Sequence, residues 1–288
     1  MQKNSEKEIL LSNGQKLNLE ECLEKTIEAS HKGREVLLKH LGKLKNVQHK
    51  HKAGLVSEAD QESENVIKKH LADAYPWISF LGEESSFAKE QNDRHFEKNK
   101  YQWIVDPLDG TTNYVHSFPV FCVSIGLELE GEIVLAVVDV PILGETYTAI
   151  KGHGAFVNGQ KMSVSSSTHI KDALLATGFS ADYEDALEEQ LQIFAKLVRL
   201  SRGVRRPGAA AYDLCQVARG VFDGFWERNL KPWDSAAGIL LVKEAGGTVA
   251  TYRGNSYSPF SNAIVAGNRY ITESIIENIK DCLLPDTE

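Results

Sequence analysis

Cysteine is scarce in this chain. Its 288 residues hold four, Cys22, Cys122, Cys215 and Cys282, far apart and without a C-x-x-C pair. That spacing gives no support to a disulfide framework, and the four read as buried thiols in a reducing compartment. Long apolar runs are missing too: none reaches the ~18 residues of a membrane span. Basic residues are outnumbered, 32 Lys and Arg against 40 Asp and Glu, for a net charge of −8. Such a balance argues against a sequence-independent nucleic-acid surface, so no nucleic-acid partner is expected. Met1 to Glu8 is polar and lacks the apolar core of a signal peptide. A cytoplasmic protein without membrane contact is the expectation. No internal repeat is visible.

What remains is ordinary for a globular enzyme: 42% hydrophobic and 25% charged residues. The length suits one large domain or two intimately packed halves. Residues 1–16 read as a polar leader and 17–284 as a single domain, its halves meeting near 150–172. Apolar spacing predicts helices over about 19–44, up to Ala74, 183–200, 209–218, 233–245 and 271–283. Strands are expected at 78–81, at 103–105, as pairs over 120–129 and 133–140 and over 145–150 and 155–157, and at 173–177, 204–206, 221–227, 248–252 and 263–266. Helices and strands interleave throughout, with hairpins as well as αβ crossovers. The fold class is therefore α/β (α+β), helix layers against mixed sheets. His49 and His51 form a His-x-His pair, but in a Lys-rich stretch they read as solvated.

The stretch around which the chain is organised runs from Trp103 to Asn113. Trp103, Ile104 and Val105 end a buried strand. Asp106 and Asp109 follow across a Pro107-Leu108 corner, and Pro107, lacking an N–H, is expected to stop the strand. Gly110 permits close backbone approach, and Thr111, Thr112 and Asn113 suit a helix start. Two carboxylates and a carbonyl can then face one spot beside free N–H groups. Hard oxygen ligands suit Mg²⁺, and helix-start N–H groups suit phosphate. By itself the segment also reads as a turn, since Asp-Pro and Asp-Gly are common turn pairs. Elsewhere, Glu83 and Asp60 alone read as surface acids and Asp234 alone as a helix cap.

Taken together these segments resemble the inositol monophosphatase family, the lithium-sensitive, Mg²⁺-dependent sugar-phosphate phosphatases. The resemblance covers about residues 19 to 283. It rests on Gly82-Glu83-Glu84-Ser85, on Trp103 to Asn113, on Pro232-Trp233-Asp234 to Gly238 with Glu244 to Gly247, and more weakly on Leu55 to Asp60. Arg205 to Ala210 and Leu230 to Asp234 look more like the bacterial inositol-1-monophosphatase branch than the nucleotide-bisphosphate branch.

The resemblance implies an αβαβα layered sandwich and a phosphoric monoester hydrolase. The implied reaction is Mg²⁺-dependent hydrolysis of myo-inositol monophosphate by a metal-activated water. It implies two or three Mg²⁺ ions: Glu83, Asp106 and the Leu108 carbonyl on the first, Asp106, Asp109 and Asp234 on the second. By the same resemblance Glu83 would also touch a third through water. Phosphate would lie on Asp109, Gly110 and Thr111. Asp60 and Thr111, with Glu83, would handle the attacking water. Glu227, seven residues before Asp234, and Ala210 would contact the polyol. A homodimer is also implied. Gly54 stands where the family often has an acid, and Ser57 where it usually has Thr. Two other readings remain open: the same chemistry on fructose-1,6-bisphosphate, a 3′-phosphonucleotide or histidinol phosphate, or a regulatory, interaction protein that retains the fold.

Overall fold

The computed structural model describes residues 8–12, 14–44, 47–50, 54–87, 99–179 and 186–284. Strands β1 (Glu8–Leu10) and β2 (Lys16–Asn18) pair as a hairpin that feeds helix α1 (Leu19–His40). The Asn18 side chain accepts from Glu20 N and Glu21 N and so caps that helix, with two acids in its first turn. Strands β3 (Val47–Lys50) and β4 (Gly54–Ser57) pair antiparallel ahead of α2 (Glu58–Ala74). Then come β5 (Ser79–Gly82), α3 (Glu83–Phe87), β6 (Tyr101–Asp109), α4 (Thr111–Val115), β7 (Cys122–Leu129), β8 (Glu132–Val140), β9 (Glu145–Ile150), β10 (Ala155–Val157) and β11 (Gln160–Lys161). Strands β11 to β5 form one seven-stranded sheet in reverse chain order, antiparallel except for β5 against β6.

The second half supplies β12 (Leu174–Thr177), α5 (Leu187–Leu200), β13 (Gly203–Arg205), α6 (Ala210–Ala218), β14 (Gly224–Arg228), α7 (Pro232–Glu244), β15 (Thr248–Ala250), β16 (Ala263–Gly267) and α8 (Arg269–Ile279). Its five-stranded sheet runs β13-β12-β14-β16-β15, parallel across β13, β12 and β14 and antiparallel beyond.

Helices α1 and α2 cover one face of the larger sheet, and α6 and α7 lie between the two sheets. Helices α5 and α8 cover the far face of the smaller sheet. The result is the expected αβαβα sandwich. β6 and β7 are buried along their whole length because helices cover both faces, and the polar residues they carry, among them Asp106 and Asp109, are buried with them. Helix α7 is apolar around its circumference, as a helix between two sheets must be. Gly126 and Gly238 let these layers close: a Cβ at Gly126 would lie 3.1 Å from the Ala236 Cβ, and one at Gly238 2.4 Å from Leu214 Cδ1.

Several local expectations change. Pro107 does not end its strand. β6 continues to Asp109, because a bulge between Asp106 and Asp109 takes Pro107 out of the ladder, where its missing N–H is not needed. Residues 8–10 and 16, read as leader, belong to the β1–β2 hairpin, held by Leu11 and Leu17 in the core. Glu83, which alone reads as a surface acid, opens a short helix and is half-buried. Cys22, Cys122 and Cys215 are buried free thiols, but Cys282 is only half-buried. The expected helix start at Tyr183 lies outside the described residues, as does His51. No helix among those described is long and apolar enough to cross a membrane.

Candidate metal and phosphate site

The β6 bulge turns Asp106 and Asp109 toward the layer between the sheets, where both are buried. Asp106 accepts from Leu108 N at 2.9 Å. Asp109 accepts from Ala211 N at 2.7 Å and from the Cys122 thiol at 3.6 Å. Asp234 sits at the third position of α7, one turn inside the helix and not at its cap. It reaches back to Lys231 N at 2.7 Å, one half of a capping box. Glu83 opens α3 at the end of β5, which lies parallel to β6.

These four carboxylates feel one another. Burial, then the charges of Glu83, Asp109 and Asp234, push the Asp106 carboxyl well above the usual range. Burial raises Asp109 to about 6, against the pull of the Ala211 N–H. Asp234 is raised by burial, then by Asp109 and Glu83.

Like charges gathered this way need a cation. The donors are carboxylates with the nearby Leu108 carbonyl, all hard oxygens, which fits Mg²⁺ or Ca²⁺ and not a soft metal. Among the described residues the acids are not already drawn into a closed cage of three. Asp106, Asp109 and Asp234 each accept a backbone N–H instead.

Gly110 follows with φ 88°, the left-handed region that glycine occupies freely. A Cβ there would meet the Val120 carbonyl at 3.0 Å and the Ala209 Cβ at 3.2 Å. Asn113 Nδ2 donates to the carbonyls of Val120 and Pro207, at 2.7 and 2.8 Å, fastening the segment before α6 to this loop. The Thr111 hydroxyl lies between Asp60 Oδ1 at 3.0 Å and the Leu108 carbonyl at 3.1 Å. Asp60 is fully buried, and its other oxygen takes Ser57 N at 2.9 Å and Ser57 Oγ at 2.6 Å. So Asp60 both caps α2 and holds Thr111, and Ser57 supplies the hydroxyl that the family usually draws from Thr.

Glu227, on β14, is buried against Gly178, where a Cβ would fall 2.1 Å from a carboxylate oxygen. Burial and the Asp234 charge raise its carboxyl, and Arg206 opposes them. Ala210 begins α6 and is buried. The structure thus places Glu83, Asp106, Leu108, Asp109 and Asp234 in one electrostatic neighbourhood, Asp60 and Thr111 in contact beside it, and Glu227 and Ala210 next to it.

Two acids were not singled out from the sequence. Asp213, one turn after Ala210, is buried with neither carboxylate oxygen hydrogen-bonded, facing Glu227 and Arg206. Its i+3 spacing from Ala210 was the available signal. Glu64, four residues after Asp60, is buried and accepts two backbone N–H groups of α3.

Residues 18–284 match the model of the inositol monophosphatase family. The inositol-1-monophosphatase of Rhizobium meliloti is 39% identical over 260 residues, covering 88% of this chain and 94% of that one. The Nus factor SuhB of Pseudomonas aeruginosa is 41% identical over 232 residues, covering 80% and 84%. The crystal structure of extragenic suppressor protein suhB from Bartonella henselae superposes with a TM-score of 0.82 at 37% identity, over 91% of this chain and 100% of that one.

Proposed function

Because the chain belongs to the inositol monophosphatase family and is a phosphoric monoester hydrolase, we propose that its substrate is a myo-inositol monophosphate and its metal Mg²⁺. The observation that carries this reading is the joining of two features in one place: four mutually repelling carboxylates, and a buried Glu227 beside them. The first suits a divalent cation with phosphate, the second a ring of hydroxyl donors. The fold, the family and the identity to an inositol-1-monophosphatase support it.

In this reading Glu83, Asp106, Asp109, Asp234 and the Leu108 carbonyl hold the ions. Magnesium, when bound, neutralises the acids and lends electrophilic assistance to phosphoryl displacement. The chain's own groups do the rest. Asp60 accepts the Thr111 proton, which fixes the hydroxyl oxygen to take a proton from the attacking water. Backbone N–H groups of Gly110 and Thr111, at the start of α4, receive phosphate oxygens. Glu227 accepts from substrate hydroxyls, with the Ala210 methyl near the ring.

A second, binding role alongside catalysis is favoured by the identity to a protein named a Nus factor. Loss of catalysis is not, since every expected ligand position carries a suitable oxygen donor. A homodimer and a cytoplasmic location remain part of the proposal. The deciding experiment is a panel of inositol 1-phosphate, fructose-1,6-bisphosphate, adenosine 3′,5′-bisphosphate and histidinol phosphate, ranked by kcat/KM with Mg²⁺, with LiCl set against KCl at equal ionic strength. Inositol phosphate first, with inhibition by lithium alone, is expected. Another ester ranked clearly above it would replace the substrate.

A further inference from the structure

Helix α2 carries Asp60, Ser63 and Glu64 on one buried face, at spacings i, i+3 and i+4. Each side chain holds a different segment of the acidic site. Asp60 takes the Thr111 hydroxyl of α4. Ser63 Oγ donates at 3.0 Å to the carbonyl of Pro107, inside the β6 bulge. Glu64 accepts from Glu84 N at 2.8 Å and from Ser85 N at 2.9 Å, one carboxylate oxygen for each. Glu84 and Ser85 are the second and third residues of α3, and Glu83 is the first. A helix of five residues cannot satisfy its own first N–H groups. Glu64 satisfies two of them from outside, and its charge suits that helix end.

The space for this contact is specific. A Cβ at Gly82 would stand 2.4 Å from Glu64 Oε2, so only glycine lets β5 pass the carboxylate. One acid among several others in a buried site is unfavourable unless its hydrogen bonds are good ones. Both oxygens here have a backbone donor.

We propose that Glu64 is a positioning residue for the cation site: it fixes the backbone of α3 so that Glu83 faces Asp106 and Asp109. This rests on the reading that Glu83 holds a cation. A carboxylate is required because two N–H groups need two acceptors. A glutamine would offer one oxygen, and its NH₂ would confront the other N–H. With α3 loosened, Glu83, which is only half-buried, turns toward water and cation affinity falls. Groups that orient a metal ligand are worth roughly 10- to 100-fold in affinity. The chemistry at full occupancy is left largely intact, since Glu64 touches neither the phosphate loop nor Thr111.

The test is calorimetric titration of the full chain with Mg²⁺ for the wild type, Glu64→Gln and Glu83→Gln, alongside kcat at saturating Mg²⁺ and melting in EDTA. The expected result is a Kd for Mg²⁺ raised roughly 10- to 100-fold in Glu64→Gln, with kcat at saturation within a few-fold of wild type. A purely structural Glu64 would lower the melting temperature in EDTA and leave the Kd alone. A wild-type Kd in Glu64→Gln together with a weakened Glu83→Gln overturns the proposal and leaves the metal reading standing. Unchanged binding in Glu83→Gln removes that reading, and the proposal with it. If Glu64→Gln does not melt cooperatively, Glu64→Asp carries the same test, since it keeps the charge but retracts the oxygens by one methylene.

Discussion

The hydroxyl of Thr111 and the carboxylate of Asp60, 51 residues apart in sequence, meet at 3.0 Å. The second oxygen of the same carboxylate is taken up by the N-terminus of its own helix. One side chain thus ties the start of α2 to the start of α4, and the two uses can be separated. Ser57 is the N-cap of α2 and Asp60 the N3 acid of its capping box, a place where one side-chain oxygen is enough, so that role alone makes Asp60→Asn nearly silent. As holder of the Thr111 proton, Asp60→Asn should lower kcat by roughly 10²–10⁴, and Thr111→Ala should do the same. The double variant should cost less than the sum of the singles, because both act on one water. Steady-state kcat for the three, with a Mg²⁺ titration, decides between them.

Glu227 should govern the polyol and not the phosphate. A charge-assisted hydrogen bond to a substrate hydroxyl is worth roughly 1.5–3 kcal/mol. Glu227→Gln should therefore raise KM for inositol 1-phosphate by roughly 10- to 100-fold and change KM for a small aryl phosphate much less. Equal effects on both esters would make Glu227 a structural acid.

The acidic site also sets a pH dependence. Asp106 and Asp234 are raised by burial and by their neighbours, and Asp109 rises from 3.8 to about 6. A carboxyl whose folded value lies above its unfolded one stabilises the fold at low pH. That contribution is lost as pH climbs through the folded value. The metal-free protein should lose it between about pH 4 and 6 for Asp109, and Asp106 and Asp234, raised in the same direction, add to the loss as pH climbs. Mg²⁺ binds the ionised forms, so the rise in melting temperature on adding Mg²⁺ should grow from pH 5 to 7.5. A rise that is flat or shrinking over that range, measured against EDTA, would contradict the assignment.

The sandwich has its own test. Gly238 on α7 faces Leu214 of α6, with no room for a methyl: the added carbon would lie 2.4 Å from Leu214 Cδ1 and 2.6 Å from its Cβ. Elsewhere in a helix Gly→Ala is stabilising. Here the overpacking should cost about 1–3 kcal/mol. A urea midpoint for Gly238→Ala at or above that of the wild type would mean that the two helices pack less closely.

Legibility from the sequence followed how local each feature is. The Asp106 to Asn113 loop could be read because its donors, glycine and helix start are contiguous. The layers could be read because helix and strand periods alternate cleanly along the chain. The bulge at Pro107 could not: a missing N–H reads as a stop until the partner strand shows that the ladder skips it. Asp234 looked like a cap because Pro232 precedes it, yet the helix starts at that proline. Glu64 was invisible for another reason. Its partners are N–H groups 20 and 21 residues away, brought to it only when α2 packs against the end of β5. Asp213 likewise looks like an ordinary polar residue of a largely apolar helix until Glu227 is seen beside it.

Asp106 lies at the centre of the acidic site, pressed by three other carboxylates, and the central claim is that this site performs Mg²⁺-dependent hydrolysis. The direct measurement is phosphate release from myo-inositol 1-phosphate by the wild type and Asp106→Asn, each with saturating Mg²⁺ and with EDTA. The wild type should turn over only with Mg²⁺. Asp106→Asn should be nearly inactive while melting in EDTA at or above the wild-type temperature, because one repelling charge is gone. Near-normal turnover by Asp106→Asn at saturating Mg²⁺ would contradict the claim.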